Sequence, residues 1–269
     1  MSICSDYLHC NPENQQEYAR DSALVFQKCN DCGIIWRSPD SVDITKNYDE
    51  FYFESKNYEK NRTHKIKKSG WLITLASRFN RNLTDMLEVG CSVGNTLEAA
   101  RQLGIGHLGT DISQFAIDYC SSRGLNARKT TMEQLLEEGF KFDLVFMQHV
   151  LEHFPDPFDV LLKCNRLLRV NGLILILVPN SLYKRASRGR GGHRFYSMMG
   201  VGSEHFVYFN YQNLNKVLTV TGFEIKQNNY PLFLRGNDSA WFFLNRLFRR
   251  GLSFFRVDQE ILIIARKSG

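Results

Sequence analysis

Three groups of residues in this chain have the types and spacing that chemistry needs. The first is imidazole and carboxylate. His149-x-x-Glu152-His153 puts three candidate bases or ligands within five residues, and His205, in Ser203-Glu204-His205-Phe206, supplies a fourth. Histidine titrates nearest neutrality, so His149, His153 and His205 are candidate general bases. The second group is thiols. Cys4, Cys10, Cys29 and Cys32 crowd into the first 32 residues, and Cys29-x-x-Cys32-Gly33 has the spacing of a metal knuckle. Cys4-x₅-Cys10 is wide for a partner knuckle, which leaves His9 as a substitute fourth ligand. The third group lies in MLEVGCSVGNTLEAA, residues 86–100, where an acid inside an apolar run is followed by two glycines and a helix-like stretch.

Phosphate-binding turns look similar, and two of them are excluded. A dinucleotide fingerprint in this frame needs glycine at 90, 92 and 95, but the chain has Gly90, Ser92 and Asn95. No Gly-Lys-Ser/Thr follows, so it is not a P-loop. What remains, Glu88-x-Gly90-Cys91-x-x-Gly94, lets backbone approach a ligand closely. Its acid repels phosphate and attracts ammonium. About 20 residues on, Asp111 closes Gly109-Thr110-Asp111-Ile112-Ser113, where a carboxylate grips the hydroxyls of a ribose. An ammonium site beside a ribose site describes S-adenosylmethionine (SAM). Taken singly, Glu88 can be structural and Asp111 can cap the next helix.

The elements that must position these residues follow from periodicity. Strands are expected over 84–89, 107–111, 126–129, 144–147, 173–178, 224–228 and 260–265. Helices are expected at 95–103, 113–122, 132–138, 157–168 and 211–221, with Trp71, Leu72, Leu75 and Phe79 at helical spacing before them. Strand–helix alternation with continuous apolar strands predicts an α/β fold with a doubly wound, seven-stranded, mostly parallel sheet. At 269 residues and 43% hydrophobic, the chain can fill such a core and carry a small appendage. We divide it into a zinc-ribbon-like module (1–45), an aromatic and basic helical connector (46–83) and a SAM-binding domain (84–269).

The chain resembles the class I SAM-dependent methyltransferases, in the small-molecule group that includes the ubiquinone-biosynthesis O-methyltransferases. The residues that carry the resemblance are Leu87–Gly94, Gly109–Ser113, Phe142–His153, Asn171-Gly172, Pro179-Asn180 and Gly222-Phe223. Ser92 departs from the family's usual glycine and fits if its φ stays negative. The resemblance implies that Glu88, Gly90 and Gly94 line the methionine end of SAM and that Asp111 holds the ribose, with Cys91 and Ile112 also among the SAM-binding residues. It places Met132 and Glu133 beside the adenine, and Gln148 and His149 beside the sulfonium. It implies a structural Zn²⁺ on Cys4, Cys10, Cys29 and Cys32. His149, Glu152 and His153 also resemble the Glu-x-x-Glu-His metal site of some methyltransferases, with His149 in place of the first acid.

The expected reaction is methyl transfer to oxygen on a small-molecule acceptor, of sugar, polyketide or quinone type. Lys184, Arg185, Arg188, Arg190 and Arg194, with no acid among them, suit a phosphate-bearing acceptor. Trp241–Arg250 reads as a basic amphipathic helix, suited to a peripheral membrane contact with a lipid-linked acceptor. The bland readings are a solvated loop and a helix buried against the domain. Two other functions stay open: an RNA methyltransferase, and a SAM-binding regulatory module without catalysis. A net charge of +6 and no RNA-binding module make nucleic acid the weaker partner. Met1–Asp6 lacks a signal-peptide pattern and no apolar run spans a bilayer, so the expected location is the cytoplasm. Cys91, Cys120 and Cys164 are expected to be buried thiols. Neither the acceptor nor the oligomeric state is set by the sequence.

Overall fold

The computed structural model describes residues 4–21, 24–37, 61–182, 205–229 and 260–269. The aromatic cluster at 48–58, the basic loop at 184–194 and the 241–250 stretch lie outside the described residues. Near the start come a helical turn, α1 (Ser5–Leu8), and three short strands, β1 (Gln15–Asp21), β2 (Leu24–Cys29) and β3 (Ile35–Arg37). The helix α2 (Arg62–Ser77) leads into β4 (Asp85–Val89), α3 (Asn95–Gln102), β5 (Gly106–Thr110), α4 (Gln114–Ser122), β6 (Ala127–Arg128) and α5 (Met132–Glu137). The second half runs β7 (Phe142–Gln148), α6 (Pro157–Leu167), β8 (Leu168–Pro179), β9 (Val207–Tyr208), α7 (Tyr211–Val220), β10 (Phe223–Gln227) and β11 (Glu260–Lys267).

The large sheet has the order β10-β11-β8-β7-β4-β5-β6. β11 runs antiparallel to both of its neighbours, β10 and β8, and the other neighbouring strands run parallel. This is the seven-stranded, doubly wound sheet that the alternation predicted. Its strands are apolar on both faces because both faces are covered. Met86, Leu144, Phe146, Leu175 and Leu262 face α2 and α3, while Leu87, Val145, Met147, Ile176 and Ile263 face α6 and α7. The helices start where capping residues stand. Thr131 and Gln134 form a capping box at α5, Asp156 caps α6 with Pro157 in its first turn, and Asn210 with Asn213 boxes α7.

The chain turns back between β4 and β7, so a crevice opens outside the carboxyl ends of those two strands. Gly90, Asp111 and His149 each sit one residue beyond such an end. A second sheet, β1-β2-β3-β9, is antiparallel. Its fourth strand comes from the methyltransferase-like half of the chain, where Val207 pairs with Trp36 and Tyr208 with Ile35. The N-terminal module is therefore joined through β9 to the segment after β7, where Phe206 N–H donates to Glu152 O.

Candidate donor site and histidine cluster

Gly90 and Gly94 adopt left-handed φ values of +72° and +71°. A Cβ on Gly90 would come within 2.4 Å of Val150, and one on Gly94 within 2.6 Å of Leu125, so both places need glycine. Ser92 is also left-handed, at φ +49°, which corrects the expectation of a negative angle. The turn tolerates it because both peptide groups of Ser92 are held. Its N–H donates to Asp111 Oδ2 at 2.9 Å, and its carbonyl accepts from Cys120 Sγ at 3.3 Å.

Glu88 is only 5% exposed, and one of its carboxylate oxygens, Oε2, has no hydrogen-bond partner. Burial raises its pKa well above the usual carboxylate range. A buried, half-satisfied acid under this turn fits the ammonium of an amino-acid ligand. Asp111 accepts from Ser92 N–H and from Ser113 N–H, both at 2.9 Å, and burial raises its pKa as well. It therefore clasps the turn while keeping lone pairs for a ribose. Beside it Ile112 is 47% exposed, an uncovered apolar side chain at the mouth of the crevice. Met132 is buried at the start of α5, where Cys164 Sγ reaches its sulfur, and Glu133 pairs with Lys163. Cys91, Cys120 and Cys164 are all buried, as expected.

The histidines converge on one buried acid. Glu152 is 1% exposed, and neither of its carboxylate oxygens has a hydrogen-bond partner. Its Oε1 lies 3.6 Å from His149 Nδ1 and 3.9 Å from His205 Nε2. His153 and His205 meet edge-to-face at 4.7 Å between ring centroids. Ligand atoms of Glu152, His153 and His205 all lie within 4.8 Å of one another. An orphaned buried carboxylate with two imidazoles fits a divalent cation.

His149 is different. Its Nε2 is 2.8 Å from Glu260 Oε1, and Lys68 donates to the other Glu260 oxygen at 2.9 Å. Burial works against its charge, yet the Glu152 and Glu260 carboxylates raise its pKa to about 9. It is a cation at neutral pH. Val150, next to it, is the side chain against Gly90, which ties the histidine segment to the donor turn.

The sulfurs of Cys4, Cys10, Cys29 and Cys32 lie within 4.8 Å of one another, and all four residues are buried. A tetrahedral Zn²⁺ with bonds of about 2.3 Å needs sulfurs about 3.8 Å apart, so this set fits a structural zinc. Cys4 completes the set, and His9 stays exposed outside it. Gly33, at φ +75°, turns the knuckle back so that Gly33 N–H donates to Cys29 O.

Four residues in or beside the site did not stand out in the sequence. Glu260 and Lys68 frame His149 together with the expected Glu152. Arg62 donates to Val93 O at 3.2 Å and so sets a cation over the donor turn. Arg37 closes β3. Glu260 alone left a signal, as an acid opening an otherwise apolar strand.

The sheet order and the crevice define a class I SAM-dependent methyltransferase fold. Residues 58–228 match the methyltransferase domain family, and the chain belongs to it. Among curated relatives, it is 30% identical over 145 residues to a ubiquinone biosynthesis O-methyltransferase of Roseobacter denitrificans, covering 49% of this chain and 54% of that one. It is 33% identical over 118 residues to the one from Parvibaculum lavamentivorans, covering 41% and 47%. The chain thus spans about half the length of these relatives. A SAM-dependent methyltransferase from Archaeoglobus fulgidus superposes with a TM-score of 0.56 at 20% identity, covering 81% of this chain and 100% of that one. A plantazolicin methyltransferase in complex with S-adenosylhomocysteine (SAH) superposes at 0.58 and 16% identity, covering 84% and 94%. These two likenesses are of fold. No helix among the described residues is long and apolar enough to cross a membrane.

Proposed function

We propose that the protein transfers the methyl group of SAM to a hydroxyl oxygen of a small-molecule acceptor. The observation that carries this is the contact of Val150 with Gly90, which sets the Glu152–His153–His205 cluster at the edge of the donor turn. In this reading Glu88 neutralises the ammonium of SAM, Arg62 faces its carboxylate, Asp111 holds the ribose, and Ile112 and Met132 flank the adenine. The acceptor oxygen attacks the methyl carbon in line, the carbon–sulfur bond breaks, and its electron pair stays on sulfur as SAH forms. The hydroxyl proton passes to the imidazole of His205, and Glu152 stabilises the cation that results. His149, already protonated, keeps its segment in place through Glu260. The named O-methyltransferase relatives support oxygen as the methylated atom, while fold likeness to a plantazolicin methyltransferase leaves the acceptor class open.

The orphaned carboxylate of Glu152 favours a second reading, in which Glu152, His153 and His205 hold a divalent cation. Such an ion would bind the acceptor oxygen and lower its pKa, a role that would replace His205 as base. Turnover of hydroxyl-bearing acceptors, followed by mass spectrometry with and without a chelator, separates the two. Under the first reading, chelation leaves the rate unchanged and His205→Ala lowers turnover with SAH affinity intact. Equal turnover of His205→Ala and the parent, with chelation also without effect, would refute both. SAH binding without turnover of any acceptor would favour the regulatory module. An RNA acceptor would show in a steep salt dependence of RNA binding, lost when Arg188 and Arg190 are neutralised.

A further inference from the structure

The described part of the N-terminal module ends on a cation with no carboxylate partner among the described residues. Arg37 is 5% exposed, and its guanidinium lies 4.3 Å over the Phe206 ring. Its Nε has no hydrogen-bond partner, and no carboxylate among the described residues pairs with it. Stacking on an aromatic ring returns at most a few kcal/mol and satisfies none of the five in-plane N–H donors. A buried charge left in that condition is costly, and an oxyanion that fills the fork removes the cost.

Its position says where such an oxyanion would come from. Arg37 N–H donates to Phe206 O at 2.9 Å, and Phe206 N–H donates to Glu152 O at 2.8 Å. Arg37 is thus two backbone hydrogen bonds from Glu152 by way of Phe206, and its guanidinium stacks on the residue next to His205. The residues it adjoins are those of the proposed acceptor cluster. The other cation there, His149, is already neutralised by Glu260 and Glu152. Arg37 is held by β3, whose neighbour β2 ends on Cys29 of the thiol cluster.

We infer that Arg37 is the residue that recognises the acceptor and that the acceptor carries an oxyanion, a carboxylate or a phosphate. This rests on the methyl-transfer reading. It gives the appended module a task, which is to deliver a preorganised guanidinium to the acceptor wall. Planar, bidentate recognition of either group is what arginine does better than lysine.

The test is a titration of the SAH-bound full chain with three phenols, two of which carry a para oxyanion: phenol, 4-hydroxybenzoate and 4-hydroxyphenyl phosphate. SAH binding, measured first, reports on the methyl-transfer reading separately. The two anions are expected to bind at least about tenfold tighter than phenol, a margin of one hydrogen-bonded charge pair. The tighter of the two names the source of the oxyanion. Arg37→Met should abolish the preference while leaving phenol and SAH affinities unchanged, and Arg37→Lys should restore only part of it. Loss of an unpaired buried charge should also raise the thermal midpoint of the unliganded Arg37→Met chain, whereas a merely structural arginine would lower it. Equal binding of phenol and the anions by the parent chain overturns the inference without any variant, as does an anion preference that survives Arg37→Met.

Discussion

Replacing Asp111 with asparagine separates the role that the structure shows for this carboxylate, clasping the turn, from the ribose role proposed for it. Oδ2 accepts from Ser92 N–H and Oδ1 from Ser113 N–H, while both oxygens keep lone pairs for the two ribose hydroxyls. Asparagine keeps one acceptor and turns the other into an amino group that faces an N–H donor. The free chain therefore loses one backbone clasp, worth about 1 kcal/mol. On the ligand side, one charge-assisted hydrogen bond is lost and the other becomes neutral. Charged bonds contribute about 1.5–3 kcal/mol and neutral ones about 1, so SAH should bind about 10–100-fold more weakly. Calorimetry on parent and Asp111→Asn chains, with SAH and with its 2′,3′-dideoxy analogue, closes a double-mutant cycle. The analogue should lose little on substitution, because it never used the carboxylate. An equal loss for both ligands would mean that Asp111 acts only by holding Ser92, and the ribose role would be refuted.

Three more outcomes follow from the same geometry. Burial raises the Glu88 pKa, so in the unliganded chain its stabilising contribution is present below the unfolded pKa and is lost as pH rises through the raised one. An ammonium lowers it again, so SAM binding should release a proton and tighten with pH across that window. Calorimetry in buffers of different ionisation heat reads the release, which Glu88→Gln should remove. Gly90→Ala must place a Cβ 2.4 Å from Val150 at a left-handed φ, so it should cost at least about 2 kcal/mol in denaturant unfolding and weaken SAH binding. A cost near zero would mean that the turn is not built as described. Cys29→Ser with Cys32→Ser should bring bound zinc, read by elemental analysis, from one equivalent to none. SAH affinity should then change by less than about threefold, because the donor turn shares no element with the module.

The central strands β7, β8 and β11 were legible because each has a long apolar run, and both faces of this sheet are covered. The donor turn was legible because its chemistry is local: an acid, two glycines, and a second acid one strand later. Ser92 was misread because its left-handed backbone is stabilised from a distance, by Asp111 and Cys120, and no local pattern announces that. Strand β9 was not foreseen either. Val207–Tyr208 is too short to show a period, and its partner lies some 170 residues earlier. The joining of the module to the segment after β7 was hidden for the same reason.

Glu260 shows how the missing part of the site is assembled. In a parallel sheet, every strand brings its last residue to the ligand edge, and a reader searches there. Strand β11 runs antiparallel to β8, so it brings its first residue instead. Glu260 opens that strand and meets His149, which follows β7 in a strained left-handed conformation at φ +54°. Strain of this kind persists only where the surroundings fix it. His149 N–H is tied to Leu177 O at 2.8 Å, its Nε2 to Glu260 and its Nδ1 side to Glu152. Three tethers and a raised pKa make His149 an anchor for Val150 and Glu152, the residues that join donor turn to acceptor cluster. In the proposed methyl transfer the proton then falls to His205, whose Nε2 lies 3.9 Å from the same carboxylate with neither of those tethers to Leu177 or Glu260.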